Sequence, residues 1–301
     1  MSTQQITKGS VVVGVDGSPS SDLALRWAVN EARRTGRRLH LIHALETELV
    51  ISDKLELGTK EEPAGGDPIL GTALDLARAA DPEIQLTPHS VTGFAPTTLV
   101  TASWLAGCVV LGSHGRSGIP NALMGSVSEQ VAIHASCPVV VVRTSGTSGG
   151  AGPGRVVVGV DGSDASKPAL GYAFEYAAST GASLVAVHTW WWEPLEGVSL
   201  GEPWMGDWTE IASQEASLVS ESLAGWAQSY PDVPVSSHVV RGDPVVELLD
   251  QSRDASLLVV GSRGRGGFIG LLLGSVSRRV MKRATVPVAV VRSGSEMGRS
   301  S

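Results

Sequence analysis

The sequence predicts an α/β protein built as two tandem doubly wound domains, each a five-stranded parallel sheet with helices on both faces. Three observations predict it. The chain is written twice: "VVVGVDGS" ends at Ser18 and again at Ser163. Strand and helix signals alternate within each copy, which implies parallel strands joined by helical crossovers. The strands are unbroken apolar runs, as expected of a sheet covered on both faces. Asp16 and Asp161, Gly36 and Gly181, and His43 and His188 each stand 145 residues apart. Gly112 and Gly261, Gly125 and Gly274, and Pro138 and Pro287 stand 149 apart. The second copy therefore has a net gain of four residues, best placed in the loop and helix after its second strand.

The first copy opens with "SVVVGV", a short β-branched run that reads as a buried strand. In the next segment Leu23, Trp27 and Ala28 recur at helical spacing, as do Leu25, Val29 and Ala32. Ser18 or Ser21 supplies the N-cap, and Gly36 stands where a left-handed cap ends a helix. "RLHLIHAL" is the second strand, followed by a variable stretch and a helix over Pro68–Ala80. A strand over Ile84–Val91, a helix over Pro96–Ala106 and the strand "CVVLG" come next. A helix from Gly125 to His134 and the strand from Pro138 to Arg143 close the unit. The second copy repeats this order with "RVVVGV", "SLVAVHTW", "VSSHVV", "SLLVVG" and "VPVAVVR" as strands. The domains are residues 1–146 and 154–301, with a Gly/Ser-rich linker at 147–153 that has nothing to bury. Gly146 to Gly150 spell G-x-S-x-G, but a nucleophile elbow needs a strand-to-helix turn, which a linker does not supply.

The chain's 301 residues suit two domains, and 42% hydrophobic residues are ample for packed cores. A net charge of −7 argues against a general nucleic-acid binder, which needs a basic surface. The basic run Arg33 to Arg38 suits the solvated end of a helix, where cations complement the macrodipole. Cys108 and Cys137 lie in apolar runs and read as buried small hydrophobes, not as a disulfide framework. No apolar stretch approaches the ~18 residues of a membrane span, and the N-terminus lacks a signal peptide's apolar core. A cytoplasmic protein with no membrane partner is expected.

A doubly wound sheet binds ligands at the carboxyl ends of its strands, at the point where successive connections leave on opposite faces. With strand one central and strands two and four beside it, that crevice lies between strands one and four. Both unusual loops fall there. The loop after strand one carries "GVDGS". The loop after strand four reads "GSHGRSGIPNALMGS" from Gly112 and "GSRGRGGFIGLLLGS" from Gly261. Both stretches place glycine first, fourth and fourteenth, and serine last. Gly112 and Gly115 permit tight turns and close backbone approach to an anion. Gly125 and Ser126 open a helix whose N-terminal N–H groups attract phosphate, with Ser126 and Ser128 as hydroxyl donors. Gly261, Gly264, Gly274, Ser275 and Ser277 repeat this in the second copy. Asp16 and Asp161 are acceptors placed to reach a ribose hydroxyl or a divalent cation. The plain alternative makes the glycines turns and the serines N-caps. Neither loop is a Walker A motif, because no lysine precedes Ser126 or Ser275. A dinucleotide fingerprint would follow the first strand, where this chain reads "GVDGSPSS" and "GVDGSDAS".

The spacing G-two-residues-G-nine-residues-G-S after strand four, together with "GVDGS" after strand one, resembles the ATP-binding branch of the universal stress protein family. The resemblance covers nearly the whole chain, once per half, and extends to the tandem-domain members of mycobacteria and related actinobacteria. It implies a Rossmann-like fold of the adenine nucleotide alpha hydrolase-like kind. It implies ATP as the ligand, with magnesium or manganese accompanying it in family members. By position it assigns ribose contact to Asp16 and Asp161, and adenine contact to Ala44 and Thr189. It assigns the phosphates and part of the ribose to Gly112, His114, Gly115, Gly125, Ser126, Val127 and Ser128. In the second half these become Gly261, Arg263, Gly264, Gly274, Ser275, Val276 and Ser277. Many members dimerise, in some cases through strand five, and tandem members pair their own two halves; a homodimer and an internal pair both remain open. The usual Ala-Asp before strand four is Ala106-Gly107 and Ala255-Ser256 here, which affects a turn away from the nucleotide.

His114 and Arg263 differ between halves, and an arginine near phosphate adds a charge-assisted contact, so the second site is expected to bind more tightly. His43 and His188 occupy equivalent strand positions and read as satisfied core histidines rather than metal ligands. "TWWWEP" places Trp190–Trp192 after the second copy's second strand, with Trp204 and Trp208 in the same region, and suits an interface or lid. The expected function is a nucleotide-dependent stress-response regulator with one ATP site per domain, little or no turnover and no catalytic residues. The alternatives are a slow ATPase or phosphotransferase at the same two sites, and an interaction module that has lost ATP. Fast phosphoryl transfer needs a positioned base and cationic stabilisation, and neither loop carries a lysine.

Overall fold

The computed structural model describes residues 6–45, 66–115, 124–143, 154–190, 208–265 and 272–292. The first half runs β1 (Val11–Gly14), α1 (Pro19–Thr35), β2 (Leu39–Leu45), α2 (Pro68–Ala80), β3 (Leu86–Thr92), α3 (Ala95–Ala102), β4 (Cys108–Gly112), α4 (Ser126–His134) and β5 (Val139–Val142). The second runs β6 (Arg155–Gly159), α5 (Lys167–Thr180), β7 (Ser183–Trp190), α6 (Trp208–Ser229), β8 (Val235–Arg241), α7 (Pro244–Gln251), β9 (Leu257–Gly261), α8 (Ser275–Arg283) and β10 (Val288–Val291). Trp191, Trp192, Trp204, the linker with its G-x-S-x-G and the middle of each fifteen-residue loop lie outside the described residues.

Local chemistry sets the helix ends. Ser18 Oγ accepts from Ser21 N at 3.1 Å and caps α1, while Gly36 ends it at φ 64°. Gly181 ends α5 in the same left-handed region at φ 67°, where a side chain would be strained. Asp67 caps α2 by accepting from Ile69 N and Leu70 N, and Asp243 caps α7 by accepting from Val245 N. The helix expected over Pro96–Ala106 stops at Ala102, because the chain tightens into turn bonds from Leu105 N and Ala106 N to Ala102 O.

The ten strands form one sheet in the order β3-β2-β1-β4-β5-β10-β9-β6-β7-β8. Within each half all pairings are parallel, as expected of doubly wound domains. The halves meet where β5 runs antiparallel to β10, with Val140 opposite Ala289. Two apolar layers cover the sheet. One packs α1, α2, α5 and α6 residues such as Leu25, Leu70, Phe174 and Val219 against it. The other uses α3, α4, α7 and α8 through Leu99, Val131, Leu248 and Met281. Both layers run through both halves. Each fully buried Val or Leu contributes about 1.5–3 kcal/mol, so the shared layers fasten the halves together.

Candidate functional site

In each half β1–β4 or β6–β9 is the switch point, and the loops after these strands meet at its carboxyl end. Gly17 and Gly162 turn the first loop with φ 76° and 73°. That turn aims Asp16 and Asp161 back over the strand ends, where Oδ1 of each accepts from the backbone N–H of Ser18 or Ser163 at 3.0 Å.

The described glycines of the fifteen-residue loops do not serve left-handed turns, because none has a left-handed φ. They permit close approach instead. A Cβ on Gly112 would stand 2.7 Å from the backbone carbon and oxygen of Ser20, at the start of α1. A Cβ on Gly115 would stand 2.9 Å from Asp16 Oδ2, and one on Gly264 would stand 2.7 Å from Asp161 Oδ2. Gly112 therefore lets β4 pass the start of α1, whereas a Cβ on Gly261 would meet Arg263 O of its own loop at 3.0 Å, and the fourth glycine of each loop lets it reach the aspartate. Gly125 and Gly274 cap α4 and α8 without a side-chain bond, and each donates its N–H to Ser113 O or Ser262 O at 2.7 Å. Each helix therefore starts beside the loop that precedes it, with its first N–H groups facing the crevice mouth.

The serines divide in role. Ser126 and Ser275 are the first residues of their helices. Ser128 and Ser277 are buried, and their hydroxyls donate to Gly112 O at 2.6 Å and Gly261 O at 2.5 Å. These two pin the helix to strand four, so their hydroxyl protons are already spent on the fold.

In the second half the arrangement encloses a cavity of about 460 Å³. All nine expected residues of that half line it: Asp161, Thr189, Gly261, Arg263, Gly264, Gly274, Ser275, Val276 and Ser277. Sequence reasoning missed its apolar wall, formed by Val160, Val187, Pro244, Leu248 and Val260, and also missed Arg265. The backbone N–H of Arg265 donates to Asp161 Oδ2 at 2.6 Å, which ties the loop to the aspartate. Arg292, the residue after β10, lies near Arg263 but outside the cavity lining. Burial and the neighbouring Arg263 charge hold it below its usual pKa. Like charges gathered at a helix N-terminus suit an anionic ligand.

In the first half the same loops touch. His114 N donates to Ser20 Oγ at 3.3 Å, and Ser18 Oγ donates to His114 O at 3.4 Å. His114 Nδ1 lies 2.9 Å from Ser113 Oγ, so its ring is engaged beside its own strand end. Ala44 sits near the carboxyl end of β2, opposite Val91 of β3, as Thr189 sits opposite Val240 in the second half.

The two strand histidines are buried and each meets a carboxylate. His43 Nδ1 lies 2.6 Å from Asp67 Oδ2, which also accepts from Ser90 Oγ. Burial pushes the Asp67 carboxyl up, but the hydrogen bonds from His43, Leu70 and Ser90 outweigh it and hold it low. His188 Nε2 lies 2.9 Å from Glu215 Oε2, and its Nδ1 lies 2.8 Å from Val160 O. Asp67 is the N-cap of α2, whereas Glu215 stands two turns inside α6. Trp190 stacks on Trp208, the first residue of α6, with centroids 6.1 Å apart, and Arg241 lies 4.3 Å above Trp208. Trp190 and Trp208 therefore fasten the start of α6 rather than line the cavity.

No group of three or more metal-ligating side chains occurs among the described residues. Asp161 already accepts from Ser163 N, Ser163 Oγ and Arg265 N, and among the described residues no second carboxylate groups with it as a metal-ligand cluster. The described residues do not form a protein-held metal site. Among the described residues no helix is long and apolar enough to cross a membrane.

Fold and crevice together define a pair of Rossmann-like domains, each with a glycine-spaced loop at its switch point, fused through one sheet. The comparisons with known proteins agree. The model of the Universal stress protein family matches residues 9–143 and again 153–292, and the chain belongs to that family. A universal stress protein of Mycolicibacterium smegmatis is 36% identical over 301 residues, covering 96% of this chain and 99% of the relative. Universal stress protein Rv2005c of Mycobacterium tuberculosis is 38% identical over 290 residues, covering 94% and 96%. The crystal structure of a universal stress protein from Archaeoglobus fulgidus superposes with a TM-score of 0.62 at 22% identity, covering 97% of this chain and 98% of that one. That last likeness speaks for the fold.

Proposed function

We propose that this universal stress protein binds one ATP in each half and acts as a nucleotide-dependent regulator of the stress response, with little or no turnover. The observation that carries the proposal is the second-half cavity. Its volume of about 460 Å³ lies within the range of small-molecule sites. It joins an apolar wall suited to a purine, a carboxylate suited to a ribose, and Arg263 beside the open N-terminus of α8. Asp161 and Asp16 would receive the ribose hydroxyls, and Thr189 and Ala44 would lie along the adenine. The backbone at Gly261–Gly264 and Gly112–Gly115, with Ser275, Val276, Ser126 and Val127, would hold the phosphates. A magnesium or manganese ion would come with the phosphates of the nucleotide, not from a protein ligand set. Fast turnover is disfavoured because neither fifteen-residue loop carries a lysine to stabilise phosphoryl transfer. The reading is tested by denaturing the purified protein and identifying the released nucleotide, then assaying turnover with magnesium. The expected result is bound adenine nucleotide without steady hydrolysis. Absence of any bound or titratable nucleotide would sink the binding reading. A rate near ~1 per second or above, within the range of ordinary enzymes, would sink the regulator reading.

A further inference from the structure

Val140 and Ala289 occupy the same place in the two copies and lie opposite each other across β5 and β10. An approximate two-fold axis therefore passes between the halves at that pair. Residues close to the axis face their own counterparts. Two identical halves joined this way would set like against like.

This chain sets unlike residues there. On one side Glu129, in the first turn of α4, lies 3.5 Å from Arg278, its counterpart in α8, and 3.1 Å from Lys282. On the other side Arg34 of α1 donates to Ser179, its counterpart near the end of α5. The Arg34 guanidinium grips buried Glu31 through two bonds of 2.8 and 2.5 Å and lies 4.9 Å above Tyr176. Trp27 stacks on the same Tyr176 with centroids 6.3 Å apart. Arg143 reaches across to the carbonyls of Lys282 and Ala284, each at 2.9 Å, whereas its counterpart Arg292 donates to Leu272 in its own half.

We propose that these axis residues form a pairing code: the seam face of each half accepts the other half and rejects a copy of itself. Two first halves would bring Glu129 against Glu129 and Arg34 against Arg34. Two second halves would gather a pair of Arg278 and a pair of Lys282 around the axis with no carboxylate between them. The attraction of Glu129 for its partners is modest, since all three side chains are partly exposed. Discrimination comes from the repulsion in the wrong pairs. The occupant of the seam is thus the complementary half, and any homodimer of this chain forms through another surface. The inference does not depend on the ligand of either crevice.

The test uses charge reversal in the full chain, read by amide hydrogen exchange at Val139–Val142 and Val288–Val291. Glu129→Arg places a third cation beside Arg278 and Lys282. Exchange along the seam is expected to quicken by about tenfold at low salt, and by less at about 0.5 M salt, where charges are screened. The triple variant E129R/R278E/K282E restores the opposite charges and is expected to restore slow exchange. Unchanged exchange in E129R, or a triple variant no slower than E129R, would overturn the code. A second measurement needs no charge change. A protease site is inserted within residues 147–153, the full chain is cut there, and the product is examined by native mass spectrometry. Complexes of one first half with one second half are expected. Pairs of like halves, or complete separation into single halves, would overturn the proposal.

Discussion

Arg263 and His114 occupy the same place in the two copies, and their different surroundings make the two crevices unequal. His114 bonds to Ser113 at its own strand end, while Arg263 lines the cavity with Arg265 and stands near Arg292. Arg263→Ala is therefore expected to weaken the proposed ATP binding in the second half by about ten- to a hundredfold, the loss of one charge-assisted contact. Titration of Asp16→Ala and Asp161→Ala variants separates the two sites, and a tighter first site would refute the ranking. A second residue-scale effect lies away from both crevices. His40 and His89 are buried and stacked, with Nδ1 of one 2.8 Å from Nε2 of the other. Thr7 N donates to His40 Nε2, so the neutral His40 carries its proton on Nδ1 and donates to His89. Burial, the neighbouring ring and the Arg38 charge push His40 down to about 4, and burial lowers His89. The unfolded chain, with histidines near pKa ~6.5, takes up protons first as the pH falls. Stability should be level above about pH 6.5 and decline below it, by up to ~1.4 kcal/mol per pH unit from His40 down to about pH 4, with a further decline from His89. Denaturant unfolding across that range checks it, and a His40→Leu/His89→Leu variant should lose this part of the decline. Nothing in the sequence pointed to this pair. His40 and His89 lie 49 residues apart and meet only because β2 pairs with β3.

At the scale of elements, the glycine spacing was legible but its reason was not. Spacing shows that small residues are needed, yet turn, cradle and close approach all leave the same trace. The neighbouring atoms show the close approach. Gly112→Ala would drive a Cβ into the backbone of Ser20 at 2.7 Å, whereas Gly125→Ala meets its nearest atom at 3.4 Å. The first substitution is expected to cost about 1–3 kcal/mol as an overpacked site, and the second under half of that. Thermal unfolding of the two variants measures the difference; equal losses would mean that the helix start at Ser20 yields to the methyl group. Helix α6 teaches the same lesson. It runs to 22 residues against 13 for α2, so the second copy's extra length enters partly as helix. The longer helix still brings a carboxylate to the strand histidine, from its interior in place of an N-cap. Repeat alignment placed the gain in this region, but a contact between distant side chains leaves no periodic mark.

For the molecule as a whole, the ten-stranded sheet makes each half part of the other's core. Both apolar layers cross the seam, and Val140 at its centre is fully buried. Val140→Asp would bury a carboxylate with no cation across the strand pair, at a cost of several kcal/mol. Exchange protection is expected to fall in β1 and β6 as well as at the seam, because the halves share their layers. Loss confined to β5 and β10 would show instead that the halves are independently stable. The alternation of strands and helices, the duplication, and the loops that flank each crevice follow from the sequence alone, because they are local patterns of burial and turn chemistry repeated at fixed offsets. Only the tertiary structure decided which glycine contacts which atom, which histidine meets which acid, and that Glu129 faces Arg278 across the axis. Those depend on side chains from segments far apart in the chain, and the folded sheet is what brings them within reach.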